Sequence, residues 1–141
     1  MNELDHTFAE IVKIIEEARD NAYRKVNEEL ILMHRKVGQV LSEKSKEANY
    51  SDGYIDSLFD YIKRQSPGIK GVNCRGLYRM KQFYETYADN EKVSPLVTQL
   101  IWTNHLLIMS GSKSDEEREF YMRLTINERY RKRQLERQMD S

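Results

Sequence analysis

The start of the chain carries the feature that most constrains its fold, a helical pattern that runs from Leu4 to Lys46 without a proline. Apolar residues recur there at intervals of three and four, the spacing that places side chains on one side of an α-helix. At about 1.5 Å per residue this apolar seam spans about 50 Å, more than a compact domain of this size needs for its own core. We therefore expect part of the seam to contact another chain. The seam consists of Phe8, Ile11, Ile15, Ala18, Ala22, Val26, Leu30, Met33, Val37 and Leu41.

The seam is compatible with two arrangements. In the first, the helix is continuous, residues 1–46 mediate homodimerisation, and the small side chains of Ala18 and Ala22 let a partner helix approach closely. In the second, the helix bends near Asn27 or Gly38 and folds back as a hairpin. The dimer interface predicted by the first arrangement consists of Phe8, Ile11, Ile15, Ala18, Ala22, Val26 and Leu30.

The rest of the chain, residues 47–141, also shows helical patterns separated by turn signals. Turn-forming residues cluster at 47–53, and a second helix is expected from Gly53 to just before Ser66-Pro67-Gly68. The fold class that follows is all-α, with a long N-terminal helix and a compact helical bundle that contains a helix-turn-helix-like hairpin. The buried residues expected in the second helix are Ile55, Leu58, Phe59 and Ile62.

Two further helices and a basic tail are expected towards the C-terminus. Ser94-Pro95 predicts the start of an apolar core helix, because serine caps helices and proline suits their first turn. The capping box Ser114-Asp115-Glu116-Glu117 predicts the next helix. The tail from Arg123 to Arg137 contains six basic residues and is either a second basic helix or a solvated end. The core helix is expected to bury Leu96, Leu100, Trp102, Leu106, Leu107 and Met109, and the next helix Phe120, Tyr121 and Leu124.

The middle of the chain concentrates positive charge. Residues 63–84 hold six Lys or Arg and no Asp or Glu, although the 23 basic and 23 acidic residues of the whole chain balance. A helix capped by Asn73 would pack through Leu77, Met80, Phe83, Tyr84 and Tyr87 and present Arg75, Arg79 and Gln82 on its other side. Two helices, a glycine-containing turn and a basic outer face form the helix-turn-helix layout, whose second helix lies in the major groove of DNA. The alternative is an ordinary helical hairpin with a solvated basic face.

The sequence contains no constellation typical of a catalytic or metal site. The histidines His6, His34 and His105 are far apart, and none has a metal-ligand neighbour at helical spacing on a face expected to be shielded from solvent. Cys74 is a single cysteine without an evident histidine partner, and glycine-rich phosphate loops and serine elbows are missing. We therefore predict that the chain is not an enzyme and uses no metal or cofactor. Its apolar runs are too short for a bilayer, so a cytoplasmic protein is expected.

Several stretches, in order and over nearly the whole chain, resemble one family. The family is the N-terminal domain of the YhcG-type proteins, bacterial proteins in which a helical domain precedes a PD-(D/E)XK nuclease domain. The resemblance implies an association with DNA cleavage, recombination or a toxin-like nuclease system. The similar stretches are Ala18-Arg19 with Ala22, Val26-Asn27-Glu28-Glu29-Leu30 with Gly38, Leu77 to Tyr84, Trp102-Thr103-Asn104-His105, Glu117 to Tyr121 and Arg133 to Gln138.

The leading hypothesis is a non-catalytic domain that targets a YhcG-like nuclease system to double-stranded DNA. In this hypothesis Arg75, Arg79 and Gln82 face the groove and discriminate between bases, while other cations contact phosphates and supply most of the affinity. The competing hypothesis is a protein-interaction module that dimerises or docks a partner such as a nuclease domain or an antitoxin. The predicted phosphate contacts are Lys63, Arg64, Lys70 and Lys81.

Overall fold

The structure, a computed structural model, describes residues 2–47 and 53–141. These residues form six α-helices and one short 3-10 turn, with no strand among them, so the all-α prediction is confirmed. The turn predicted at 47–53 falls largely on residues 48–52, which lie outside the described residues. The elements are α1 (Glu3–Ser45), α2 (Tyr54–Gln65), α3 (Cys74–Tyr87), the 3-10 turn (Val97–Gln99), α4 (Trp102–Gly111), α5 (Asp115–Glu128) and α6 (Lys132–Asp140).

α1 is one helix of 43 residues, capped by Asn2, whose Oδ1 accepts a hydrogen bond from the Asp5 N–H at 2.8 Å. The helix is continuous through Asn27 and Gly38, so the predicted alternative of a hairpin with a bend near either residue is wrong, while homodimerisation through residues 1–46 stays a prediction. Every residue from Asn2 to Val26 is exposed, whereas burial begins at Asn27. α1 thus has an exposed N-terminal half and a packed C-terminal half.

The packed half of α1 contacts α3 and the 3-10 turn through a stripe that contains Ile31, Gly38 and Leu41. Of the predicted seam, Leu41 is buried in this half, whereas Leu30 and Met33 remain exposed and do not contribute to the packing against α3. α3 approaches α1 on the side where Gly38 has no side chain. Ile31 and Leu41, seven positions before and three after it, share that side of the helix.

α3 packs on α1 through the face predicted from the sequence. Asn73 caps α3 as expected, and its Oδ1 accepts a hydrogen bond from the Gly76 N–H at 2.7 Å. At the crossing of the two helices, a Cβ on Gly38 would overlap the backbone of Met80. The buried residues of α3 are Leu77, Met80, Phe83 and Tyr87, and Tyr84 is half-buried beside them.

α2 begins after Gly53, as predicted, and Gly53 adopts a φ of 74° that glycine tolerates without strain. Ile55 is buried in α2, and the other three expected core residues of this helix are half-buried. Residues 66–73 connect α2 to α3, more than the roughly three or four residues of a strict helix-turn-helix turn. The pair is therefore a helical hairpin with an extended connection, and helix-turn-helix geometry stays a prediction.

The predicted helix start at Ser94-Pro95 is wrong. Residues 94–101 form turns and the 3-10 turn, and α4 begins only at Trp102. Two carbonyl groups of this segment are paired with a side chain instead, because Asn27 Nδ2 donates to the carbonyl oxygens of Thr98 at 3.2 Å and Leu100 at 2.9 Å. These bonds join α1 to the bundle and satisfy backbone groups that a regular helix would have satisfied internally.

α4, α5 and α6 complete the core around Ile108, Met122 and Leu135, whose side chains have no exposed surface. The basic tail is not a solvated end, because Lys132–Asp140 form α6, which packs on α4. Leu135 and Met139, the apolar residues of the tail, join the core cluster.

α5 begins as predicted, and two of its three expected core residues, Tyr121 and Leu124, are half-buried. Ser114 caps it and accepts a hydrogen bond from the Glu117 N–H at 3.1 Å, although the Glu117 carboxylate accepts from the Lys113 N–H rather than from Ser114. The predicted burial of Phe120 is wrong, since its side chain is 60% exposed. Met122, at about 160° around the helix from Phe120, faces the core in its place.

Candidate nucleic-acid interface

The exposed face of α3 carries the three residues expected to face DNA bases. Arg75 and Gln82 are exposed and Arg79 is half-buried. At about 100° per residue the three fall within roughly 60° of one another around the helix. Tyr78, which was not among the predicted residues, is 49% exposed beside them. Its spacing of three from Arg75 and four from Gln82 was the signal that places it on this face.

The four residues expected to contact phosphates are less uniformly placed. Lys63 and Arg64 are exposed in the last turn of α2, where Lys63 Nζ lies 5.0 Å from the centroid of the Phe59 ring. Lys70 is exposed in the connection between α2 and α3. Lys81 is half-buried and about 160° around α3 from Arg79, so it does not share the face of the three base-facing residues. The four residues are Lys63, Arg64, Lys70 and Lys81.

None of the six cations in residues 63–84 forms an ion pair with another described residue. Six ion pairs occur in the described part of the chain, and all of them use other cations. A surface cation without a carboxylate partner keeps its charge available for an external anion. The cations that do form ion pairs are Lys13, Lys25, Lys44, Arg118, Arg123 and Lys132.

Acidic side chains border this basic region on two sides. On α2, an oxygen of Asp56 accepts a hydrogen bond from Cys74 Sγ at 3.2 Å, and Asp60 acts electrostatically on the same thiol. At the C-terminal end of α3 an open cleft is lined by several carboxylates, which would repel a polyanion. These carboxylates bound the basic region, which consists of the end of α2, the connection to α3 and α3 as far as Lys81. The carboxylates of the cleft belong to Glu85, Asp89, Glu91, Asp115, Glu116 and Glu119.

The surroundings of the cysteine and the two histidines in and near α3 favour their neutral forms. Partial burial and the neighbouring Asp56 raise the pKa of the Cys74 thiol, which disfavours the nucleophilic thiolate. His105 is fully buried, and burial lowers its pKa to about 4 despite the hydrogen bond of its Nε2 to the Val97 carbonyl oxygen at 2.7 Å. Burial also lowers the pKa of His34. The two imidazoles are therefore neutral at pH 7, and His105 donates through Nε2.

Residues of the family-like stretches hold α1 against the bundle. Asn27 bonds the backbone of residues 98–100, and Gly38 allows the close approach of α3. Trp102 stacks on His34 of α1 with ring centroids 4.1 Å apart, and His105 fixes the 3-10 turn. These residues of the family-like stretches therefore have packing and hydrogen-bonding roles that position α1 on the bundle.

The sequence model of the family described as the DUF1016 N-terminal domain matches residues 10–141, nearly the whole chain. The chain belongs to this family. Membership in the DUF1016 N-terminal domain family confirms the resemblance to the N-terminal domain of the YhcG-type proteins. Comparisons with curated proteins and with solved structures found no match. The DUF1016 N-terminal domain is not itself a known catalytic domain.

Two further properties of this DUF1016 N-terminal domain concern metals and membranes. Within residues 2–47 and 53–141, no three His, Cys, Asp or Glu side chains come together in a way that could hold a metal ion. In that same part of the chain, each helix is too short or too polar to cross a membrane.

Proposed function

We propose that this DUF1016 N-terminal domain is a non-catalytic DNA-binding domain that targets a YhcG-like PD-(D/E)XK nuclease system to double-stranded DNA. The observation that carries the proposal is the group of six cations in residues 63–84 that form no ion pair with a described residue. The whole chain has a formal net charge of zero, so attraction of a polyanion depends on such local concentration.

In this proposal some residues would contact phosphates and supply affinity, and others would contact bases and discriminate between DNA sequences. Lys63, Arg64 and Lys70 flank the start of α3 and would contact phosphates, which supply most of the affinity without reading sequence. Arg75 and Arg79 have guanidinium groups that can bind guanine edges through two hydrogen bonds each. The acidic cleft at the other end of α3 would keep the duplex over the N-terminal part of this helix.

The test compares two double variants of equal charge in fluorescence anisotropy titrations of a labelled duplex. Arg75→Ala/Arg79→Ala should weaken binding at least about tenfold, since a lost base contact costs about 1–3 kcal/mol. The matched control is Lys13→Ala/Lys36→Ala, which removes two exposed charges from α1 and should leave the affinity nearly unchanged. Circular dichroism establishes that both variants are folded. Equal affinity of the two double variants would remove α3 from the interface.

A second candidate function, a protein-interaction module, is favoured by the exposed apolar side chains of the N-terminal half of α1. Apolar surface of this kind marks interaction sites in soluble proteins. The two functions are distinguished by titration at low salt, where non-specific phosphate contacts are strongest. Absence of DNA binding under that condition would leave the interaction module as the function, with the basic region a solvated face.

A further inference from the structure

We propose that the exposed half of α1 pairs with the same segment of a second copy of this chain, in antiparallel orientation, from Leu4 to Ala22. The proposal does not depend on DNA binding, because none of its residues lies in the region 63–84. It starts from the apolar surface of this segment, in which no residue from Asn2 to Val26 is buried. Between Leu4 and Ala22, six large side chains are 45–59% exposed, namely Leu4, Phe8, Ile11, Val12, Ile14 and Ile15.

The spacing in this half is that of a two-stranded coiled coil. Intervals of four and three alternate from Leu4 to Ala22, over about two and a half heptads, so the side chains form one seam that can insert into a facing helix. The seam has large residues at its N-terminal end and small ones at its C-terminal end. Its members are Leu4, Phe8, Ile11, Ile15, Ala18 and Ala22.

This gradient of size favours the antiparallel orientation. With the two-fold axis beside Lys13, Leu4 lies opposite the partner's Ala22, and Phe8 lies opposite the partner's Ala18. The central layer pairs Ile11 with the partner's Ile15, so no layer contains two phenylalanines or two alanines. A parallel pair would instead place two phenylalanines in one layer and two alanines in another, which overfills the first and leaves a cavity in the second.

The charges beside the seam favour the same orientation. Asp5 and Arg19 each follow a seam residue and so occupy equivalent flanking positions on the helix. The antiparallel register places Asp5 opposite the partner's Arg19, and the two-fold axis repeats this pair. Within one chain the two residues are about 21 Å apart along the helix and cannot pair. Neither of them forms an ion pair with a described residue of its own chain. A parallel pair would place Arg19 against the partner's Ile14.

The overlap also fits the position of the bundle. It ends at Ala22, before Asn27, where α1 first bonds the rest of the chain. The two Asn27 residues would be about 42 Å apart along the paired helices, so that the bundles lie at opposite ends and do not collide. Val26 and Leu30, which the sequence assigned to the interface, fall outside this overlap.

Crosslinking distinguishes the possible orientations in the full chain. Cys74→Ser removes the single native thiol, and Leu4→Cys or Ala22→Cys is then introduced. A short bis-maleimide should link the two proteins when they are mixed, and mass spectrometry should find position 4 joined to position 22. Ala22→Cys alone should not be linked, because its two copies would be about 27 Å apart. Efficient linking of Ala22→Cys alone would establish a parallel pair and overturn the proposal, as would the absence of any linked product.

A charge exchange tests the proposed ion pair. Asp5→Arg or Arg19→Asp alone should raise the dimer dissociation constant about three- to tenfold, because each variant places like charges together twice. The double variant Asp5→Arg/Arg19→Asp should restore the dissociation constant to within about twofold of the original. Sedimentation equilibrium measures all four proteins. A double variant as weak as the single variants, or an original protein that is monomeric at tens of micromolar, would overturn the proposed pairing.

Discussion

Gly38 of α1 lies against the backbone of Met80 of α3, so that any side chain at position 38 would overlap the Met80 carbonyl group. It would also meet Cβ of Tyr84 at 3.0 Å. These are atoms of a helix backbone and its first side-chain carbon, which cannot move away without displacing the helix. The glycine therefore sets how closely the two helices approach.

We expect Gly38→Ala to destabilise the protein by about 1–3 kcal/mol, because the new methyl group forces α1 and α3 apart. Urea unfolding followed by circular dichroism measures the change. Gly68→Ala is the matched control, since Gly68 has open space around it and the same substitution should leave stability unchanged or slightly higher. Equal stability of the two variants would show that the crossing tolerates a methyl group.

Asn27→Ala should destabilise the protein by about 1–3 kcal/mol, because it leaves the carbonyl oxygens of Thr98 and Leu100 without their donor. The control is Asn21→Ala, on an exposed turn of the same helix, where the Asn21 side chain accepts a hydrogen bond from the exposed Arg24 guanidinium group. Its effect should stay within about 0.5 kcal/mol. Hydrogen exchange should also speed up in residues 94–101 of the Asn27 variant alone, and unchanged exchange would argue against this link.

Acidification should destabilise the protein through its buried histidines. Burial lowers the pKa of His105 from its ordinary value of 6.5 to about 4 in the folded chain, so the unfolded chain binds the proton more readily. Stability is therefore complete above pH 6.5 and is lost progressively as the pH falls towards 4, by up to about 3 kcal/mol. The lowered pKa of His34 acts in the same direction.

Urea unfolding at several pH values measures this loss. Nuclear magnetic resonance of the imidazole nitrogens provides the site-specific measurement, with the exposed His6 as an internal reference. His105 should remain neutral at pH 5.5, with its proton on Nε2. Protonation of His105 near pH 6.5 in the folded protein would contradict the expected burial.

If the basic region binds DNA, its phosphate contacts should appear in the salt dependence of binding. Lys63→Ala/Arg64→Ala/Lys70→Ala should reduce the slope of log affinity against log salt concentration by about 0.9 for each contact removed. Lys81→Ala should have a smaller effect, because Lys81 lies on a different side of α3 from the base-facing residues. An unchanged slope in the triple variant would place the phosphate contacts elsewhere.

The correct sequence predictions depended on local signals. The Asn73 cap was predicted from the few residues that follow it, and the continuity of α1 from the absence of proline in one segment. The burial of Leu77 and Phe83 followed from helical periodicity, because α3 has one wide apolar face. The basic outer face of α3 was predicted by the same periodicity.

The features that the sequence did not predict depend on contacts between distant residues. Leu30 and Met33 are as apolar as Ile31, but Ile31 lies on the side of α1 where Gly38 allows the close approach of α3 and is therefore the one that is buried. Ser94-Pro95 is a good local helix start, yet Asn27, far away in the sequence, holds the following carbonyl groups in another arrangement. No pattern within either segment contains that information.

Trp102 is the single tryptophan of the chain, and it stacks on His34 and contacts the edge of Phe83 with ring centroids 5.2 Å apart. Its indole thus touches α1 and α3 as well as its own helix. Intrinsic fluorescence excited at the tryptophan band therefore comes from one place, the junction of three helices. The protein carries a built-in optical reporter of α1 docking, which registers separation of α1 from the bundle without any attached dye.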